Sequence, residues 1–165
     1  MENLPSIKKK IAVSDKKGNT LSILNKILAF CGRENCAAWS AEEMAEKNEQ
    51  PTVLLLCDAA YSDRFSGFTA CAAECELLVL PSVAKQTPIT YSLTSDHADF
   101  TARNIRRTAD GFLAFEMIGV GVIGRARLAV SDTEAVGDVL AASVAAIAAG
   151  ISFADVLEAI NTIQF

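Results

Sequence analysis

Histidine is almost absent from this sequence, which has only His97 among its 165 residues. Five cysteines are the remaining candidates for a metal or redox site, and their odd number argues against a disulfide framework. Cys71 and Cys75 are four residues apart, a spacing that would place them on one face of a helix. A zinc or redox site would need both thiols and His97 to converge, whereas buried, unreactive cysteines need no such coincidence. We therefore expect no metal site here.

Long apolar runs and clustered basic residues are also missing. No segment approaches the roughly 18 consecutive apolar residues of a membrane span. The start of the chain, MENLPSIKKK, has no apolar stretch that would make it a secretory signal. The formal net charge is -5 and the basic residues are scattered, which argues against binding to nucleic acid. We expect a cytoplasmic protein without membrane or nucleic-acid partners.

Apolar residues are abundant and make up 51% of the chain. This length is sufficient for one sizeable core, so a single domain over residues 1–165 is expected. Short apolar runs at residues 10–14 and 53–57 alternate with helical spacing such as that of Leu21–Cys31. This alternation is typical of β-α-β units and a parallel sheet.

Two further elements are expected before residue 88, and the pattern changes after it. The apolar spacing favours a helix over Phe65–Ala73 and a buried strand over Leu77–Leu80. Beyond Pro88, three strands joined by glycine-containing turns indicate an antiparallel meander. The sequence predicts a three-layer α/β fold with three parts: a mostly parallel sheet (residues 10–90), a small antiparallel three-stranded extension (98–130) and a closing pair of helices (132–163).

The stretch KIAVSDKKGNTLSIL places a charged, glycine-containing loop between the first strand and the first helix. Backbone N–H groups at such a helix start can surround the phosphates of a nucleotide. The candidate phosphate-binding residues are Lys16, Lys17, Gly18, Asn19 and Thr20. A phosphate-binding lysine would be expected where Asn19 stands, so a tight turn without a ligand is the competing interpretation.

The second half of the chain resembles the central, ATP-binding domain of the Mur ligases, the amide-forming enzymes of peptidoglycan synthesis. The resemblance rests on ITYSLTSDHADFTARNIRRTADGFLAFEMI and EAVGDVLAASVAAIAAGISFADVLEAINTI, in that order and spacing. It implies a P-loop-like domain whose first loop, VTGTNGKTT in the family, is similar to VSDKKGNTL here. Gly18 and Thr20 keep their places in that loop, while Asp15 stands in place of a glycine and Asn19 in place of the lysine.

Other positions also depart from the family pattern. Asp58 is the only candidate for the carboxylate that helps to hold magnesium, and LVLPSVAKQTP contains no counterpart of the family's histidine. In the aligned stretch EAVGDVLAA, Glu134, Ala135 and Asp138 stand in the family's polar places, with Ala135 where the family has the asparagine that contacts adenine. The resemblance also implies two flanking domains in the ligases, which we do not expect within this length.

Two functional hypotheses follow from the resemblance. The first is a non-catalytic Mur-ligase-like domain without catalytic residues or cofactors. It would act as a homodimer or through a protein partner, with a link to cell-wall precursor metabolism. The second is a small nucleotide-binding protein, or a component of an ATP-dependent ligase, that keeps weak phosphate binding. In that case the loop would hold ATP and Asp58 would hold magnesium. Cys57 lies at a strand end where ligands of parallel sheets bind, although a buried, inert thiol is the preferred interpretation.

Overall fold

The computed structural model describes residues 9–32, 35–57, 65, 67–73, 88–130 and 132–165. Within these residues the chain forms one mixed β-sheet and four α-helices. The strands are β1 (Lys9–Ser14), β2 (Cys36–Ser40), β3 (Val53–Leu56), β4 (Thr69–Ala73), β5 (Ile89–Ser92), β6 (Phe100–Arg107), β7 (Leu113–Gly119) and β8 (Val122–Leu128). The helices are α1 (Asn19–Phe30), α2 (Ala41–Glu46), α3 (Glu134–Ala148) and α4 (Phe153–Thr162).

The sheet has the strand order β2-β1-β3-β4-β5-β6-β7-β8. Neighbouring strands are parallel from β2 to β6. The β6–β7 and β7–β8 pairs are antiparallel. The predicted mostly parallel sheet with a three-stranded antiparallel extension is therefore confirmed. Because β6 pairs with β5 in parallel, the extension continues the main sheet and does not form a separate layer.

The two faces of the sheet bury separate hydrophobic clusters. Helices α1, α3 and α4 contribute to the larger cluster, and α2 covers β1 and β3 on the opposite face. Helix α3 packs across β3, β4 and β5, and its fully buried alanines let the helix approach these strands closely. The result is the predicted three-layer arrangement, with α3 lying under the centre of the sheet.

The predicted helix over Phe65–Ala73 is wrong, because Thr69–Ala73 forms strand β4. This strand pairs with β3 and β5, and Cys71 at its centre is fully buried. A short apolar run fits a helix or a buried strand equally well, and only the neighbouring strands decide between them. Cys71 was expected to share a helix face with Cys75, but Cys71 lies in a strand.

Several residues of the sequence hypotheses lie outside the described residues. They are Asp58, Cys75 and the predicted strand Leu77–Leu80. Among the residues that the structure does describe, no three histidine, cysteine or acidic side chains come together as metal ligands. The absence of a metal site remains a prediction for the whole chain.

No helix in the described part of the chain combines the length and the apolar character needed to span a membrane. The longest of these helices, α3, has 15 residues, whereas a span takes about 20.

Candidate functional site

The phosphate-loop candidate lies where β1 meets α1, at the carboxyl ends of the parallel strands. Ligands of open α/β sheets bind outside this edge. The loop turns tightly because Gly18 N–H donates to the Asp15 carbonyl over 3.3 Å. Gly18 then adopts φ +75°, a left-handed conformation that glycine reaches without the steric cost other residues meet. This geometry directs the first N–H groups of α1 toward the loop.

The Asp15 carboxylate engages one N–H group in the first turn of α1, that of Thr20, and one in the preceding loop, that of Lys17. One of its oxygens accepts a hydrogen bond from Lys17 N–H and the other from Thr20 N–H, each over 3.1 Å. The first turn of a helix has N–H groups without intrahelical partners and carries partial positive charge. A phosphate would use the same groups. Asp15 therefore supplies an anion from within the chain at the place where a nucleotide phosphate would sit.

The Thr20 side chain is also engaged inside the protein. Thr20 is buried, and its hydroxyl lies 3.4 Å from the Asp138 carboxylate, to which it donates. In phosphate loops the serine or threonine at the corresponding place binds magnesium through this hydroxyl. Here the hydroxyl also accepts from the Cys57 thiol over 3.8 Å, and Tyr91 O–H donates to the Cys57 sulfur over 3.7 Å.

Cys57 is therefore part of a buried network behind the loop. Burial raises the pKa of its thiol to about 11, and the hydrogen bonds from Tyr91 and to Thr20 oppose that shift only in part. A thiol with this pKa is almost entirely protonated near neutral pH, and the thiolate is the reactive form. Cys57 is suited to packing and hydrogen bonding and is a poor nucleophile.

A cleft of about 750 Å³ lies between α1, the β6–β7 turn and the start of α3. Asn19 and Lys26 line it on the α1 side. The other charged residues around it are all acidic: Asp110, Asp132, Glu134 and Asp138. Lys16 and Lys17 are exposed at the loop, and Lys17 Nζ lies 3.9 Å from a Glu134 carboxylate oxygen. The cleft thus has a negative potential that repels polyphosphates.

These residues do not fit a magnesium–nucleotide complex. The N–H groups are engaged by Asp15, Asn19 has no positive charge, and the cleft beside the loop is acidic. Gly18 and Thr20 lie at the helix start, as the loop pattern predicts, while Lys16, Lys17 and Asn19 are exposed. Sequence reasoning noticed Asp15 and Asp138 only as departures from a family pattern.

The contacts of Asp15 and Asp138 with Thr20 were not predicted from the sequence. The Asp15 side chain accepts a hydrogen bond from the N–H of Lys17, two residues later, which is the spacing of an Asx turn. This spacing could have indicated that one bond. Tyr91 was not among the candidate residues. It contacts Cys57 across 34 positions of sequence, and no local pattern signals such a pair.

Among the carboxyl groups at this site, Asp138 has a raised pKa. Burial raises the pKa of its carboxyl, the negative charge of Asp15 raises it further, and the Thr20 hydrogen bond and Lys17 lower it. A carboxyl with a raised pKa binds its proton more tightly in the folded state. Its stabilising contribution is therefore present below the ordinary aspartate pKa of about 3.9 and is lost as the pH rises through the raised value.

We therefore expect Asp138→Asn to raise the melting temperature at pH 7 by about 1–3 °C. The gain should shrink toward zero as the pH falls below 4, where the aspartic acid is itself neutral. Thermal unfolding between pH 3.5 and 8 measures the difference. Glu158→Gln, on the exposed side of α4, is the control and should leave the pH profile unchanged. A lower melting temperature for Asp138→Asn at pH 7 would contradict this account.

The solved structures most similar to this fold include several Mur ligases. MurF from Acinetobacter baumannii matches with a TM-score of 0.75 and 16% identity, over 97% of this chain and 47% of that one. A pseudomurein peptide ligase type C from Methanothermus fervidus matches with a TM-score of 0.66 and 15% identity, over 98% of this chain and 50% of that one. No protein-family description and no curated protein sequence matches this chain.

These matches confirm the Mur-ligase resemblance at the level of the fold. The chain spans about half the length of the ligases that it matches. At this identity, a shared fold does not establish a shared activity.

Proposed function

We propose that this chain is a non-catalytic Mur-ligase-like domain that acts by binding another protein or a second copy of itself. The observation that supports this proposal is the Asp15 carboxylate on the N–H groups of Lys17 and Thr20. A ligase that activates a carboxylate with ATP must hold the phosphates at this helix start. Here that position is taken by a side chain that is always present at the site.

The loop is expected to bind a nucleotide more weakly than a complete phosphate loop, because it lacks several of the contacts. A charge-assisted hydrogen bond contributes about 1.5–3 kcal/mol, and each 1.4 kcal/mol changes affinity tenfold. The chain lacks the loop lysine, needs the Asp15 carboxylate displaced before a phosphate can enter, and has Ala135 at the adenine-side position. Two or three such losses move a micromolar nucleotide site to millimolar affinity or weaker.

The structural neighbours suggest where such a domain would act. They include MurF and a pseudomurein peptide ligase, whose names describe ligases of cell-wall precursors. We propose that the partner belongs to the same cytoplasmic metabolism, a ligase of this class being the first choice. Light scattering at high protein concentration distinguishes self-association from binding to another protein. A homodimer has twice the mass of the monomer that is expected if the chain binds only another protein.

We expect millimolar Mg-ATP to shift the melting temperature of the purified chain by no more than about 1 °C. Saturation at 100 times Kd would stabilise the folded state by about 2.7 kcal/mol, a shift of several degrees for a domain of this size. We also expect no release of inorganic phosphate from ATP, with or without added amino acids. Differential scanning fluorimetry and a phosphate-release assay measure both quantities.

The alternative hypothesis, a small nucleotide-binding protein, makes the opposite prediction. A saturable stabilisation by Mg-ATP that Thr20→Val abolishes would favour it and contradict the proposed function. Ser22→Val, two residues further along α1 and outside the loop, is the control for loss of a hydroxyl.

A further inference from the structure

The antiparallel extension has one face that no described helix covers. Ala102, Leu113, Phe115, Met117 and the neighbouring inward side chains belong to the core. Because side chains alternate along a strand, the residues between them point to the opposite face. Strand pairing sets these outward residues in three rows: Thr101–Ile118–Ile123, Arg103–Glu116–Arg125 and Arg106–Ala114–Arg127. Thr101 is buried, so the open part of the first row consists of Ile118 and Ile123. We call this surface the arginine face.

The arginine face is basic, although the chain as a whole has a net charge of -5. Four of the seven arginines in the sequence lie in these rows, Glu116 is the acidic residue among them, and Asp110 lines the groove beside them. Arg103 pairs with Asp96 over 2.6 Å, and Arg127 pairs with Asp110. Arg106 and Arg125 are exposed and have no ion-pair partner among the described residues. As far as the described residues go, two guanidinium groups are available for carboxylates from outside.

A concave surface runs between these side chains. A groove of about 530 Å³ is lined by Arg106, Arg125 and Arg127 together with Glu116 and Ala114. The edge of β8 beside it is already occupied in part, because the Asn161 side chain accepts from Arg127 N–H and donates to the Arg125 carbonyl. Asn161 therefore hinders an added strand along this edge, and the open face is the more accessible surface.

Apolar residues adjoin the basic ones. Ile123, in the row next to that of Arg125, and Val120, in the β7–β8 turn, are two of the five large hydrophobic residues exposed in the described part of the chain. Val122 is also exposed at this turn, but it precedes Ile123 and points to the other face of the strand. Val120 is 78% exposed and Ile123 66%. Arginine next to exposed apolar side chains is the composition of protein-binding surfaces. Single exposed apolar residues are ordinary, whereas a cluster beside unpaired charges marks an interaction site.

We propose that the arginine face binds an acidic segment of another protein, with carboxylates between Arg106 and Arg125 and an apolar side chain against Ile118 and Ile123. This inference rests on the proposed binding role of the domain. Charge complementarity selects the occupant: two arginine faces placed against each other would repel, which disfavours a symmetric dimer through this surface. The acidic balance of the whole chain, with a pI near 4.9, disfavours nucleic acid.

The test uses a fluorescent eight-residue peptide that alternates glutamate and leucine, with the full chain as receptor. Anisotropy should report saturable binding that weakens as salt is raised from 50 to 500 mM, because exposed charges are screened. Replacing every glutamate by glutamine should weaken binding by about tenfold or more. Amide shifts in NMR spectra should be confined to β6, β7 and β8.

The double variant Arg106→Glu/Arg125→Glu should weaken peptide binding by about tenfold or more. Lys9→Glu/Lys47→Glu makes the same charge change at the start of β1 and just after α2, away from the arginine face, and should stay within about twofold of the unchanged chain. Melting temperatures within about 2 °C of each other would show that the variants are folded.

Three results would overturn the inference: no saturable peptide binding, equal losses in the two double variants, or tighter binding to single-stranded DNA or anionic vesicles than to the peptide. None of these bears on the nucleotide site. Conversely, ATP turnover would contradict the proposed function while peptide binding at this face could still be measured, so the two failures are distinguishable.

Discussion

The double substitution Asp15→Gly/Asn19→Lys is expected to strengthen the binding of Mg-ATP at the loop between β1 and α1. The first change frees the N–H groups of Lys17 and Thr20, and the second places a positive charge at the first position of α1, beside the large cleft. Two charge-assisted contacts of about 1.5 kcal/mol each correspond to about a 100-fold gain in affinity for Mg-ATP. Isothermal titration calorimetry on the variant and the unchanged chain measures the gain.

The single substitutions separate the two contributions. Asp15→Gly alone should give the smaller part of the gain, and it should cost about 1 kcal/mol of stability because α1 loses a carboxylate that caps its first turn. Asn25→Lys adds the same charge to an exposed position six residues further along α1 and is the matched control for Asn19→Lys. An equal gain from Asn25→Lys would mean that general charge, and not the loop, determines affinity.

Gly124→Val is expected to lower the melting temperature by about 2–12 °C. Even a Cβ atom at Gly124 would collide with Leu157 Cδ2 and lie 3.1 Å from Phe153 Cε1, because α4 packs directly on this part of β8. Overpacking of a close contact costs about 1–3 kcal/mol, and each kcal/mol shifts the melting temperature of a domain this size by about 2–4 °C. Thermal unfolding followed by circular dichroism measures the loss.

Gly137→Ala is the matched control for this packing argument. A Cβ atom at this glycine would lie 3.4 Å from Leu93 Cδ1, an ordinary contact, and the residue is inside helix α3. Alanine is more favourable than glycine in a helix interior by about 0.8–1.0 kcal/mol, so the melting temperature should rise. If both substitutions lowered it equally, the close approach of α4 to β8 would not be the cause.

The parts of the fold that could be predicted are those with long, repeated patterns. Helices α3 and α4 have regular apolar spacing, and the Ser152 hydroxyl accepts from Asp155 N–H at the start of α4. The β6–β8 meander is marked by turn residues, among them Gly121 with φ +72° between β7 and β8. Strand β4 has only five residues, all small, and so short an apolar run fits a helix or a strand equally well. Pairing with the neighbouring strands therefore determines its structure.

The sequence predicted where the candidate site lies in the fold, but only some of the contacts that its side chains make. The strand–loop–helix pattern located Gly18 and Thr20 correctly at the start of α1. The contact between Thr20 and Asp138 joins residues 118 positions apart, and it forms because α1 and α3 pack against each other. A sequence can reveal an unexpected aspartate in a loop, but the three-dimensional packing determines whether its carboxylate faces solvent or the helix start.

The most direct test of the central claim is an NMR titration of the unchanged chain with Mg-ATP, following the amide signals of Lys17 and Thr20. If Asp15 occupies these N–H groups, their signals should show no saturable shift up to about 10 mM Mg-ATP, and Asp15→Gly/Asn19→Lys should show one. Saturable shifts of both amides in the unchanged chain, with a Kd below about 1 mM, would mean that phosphate displaces the Asp15 carboxylate readily. That result would contradict the account.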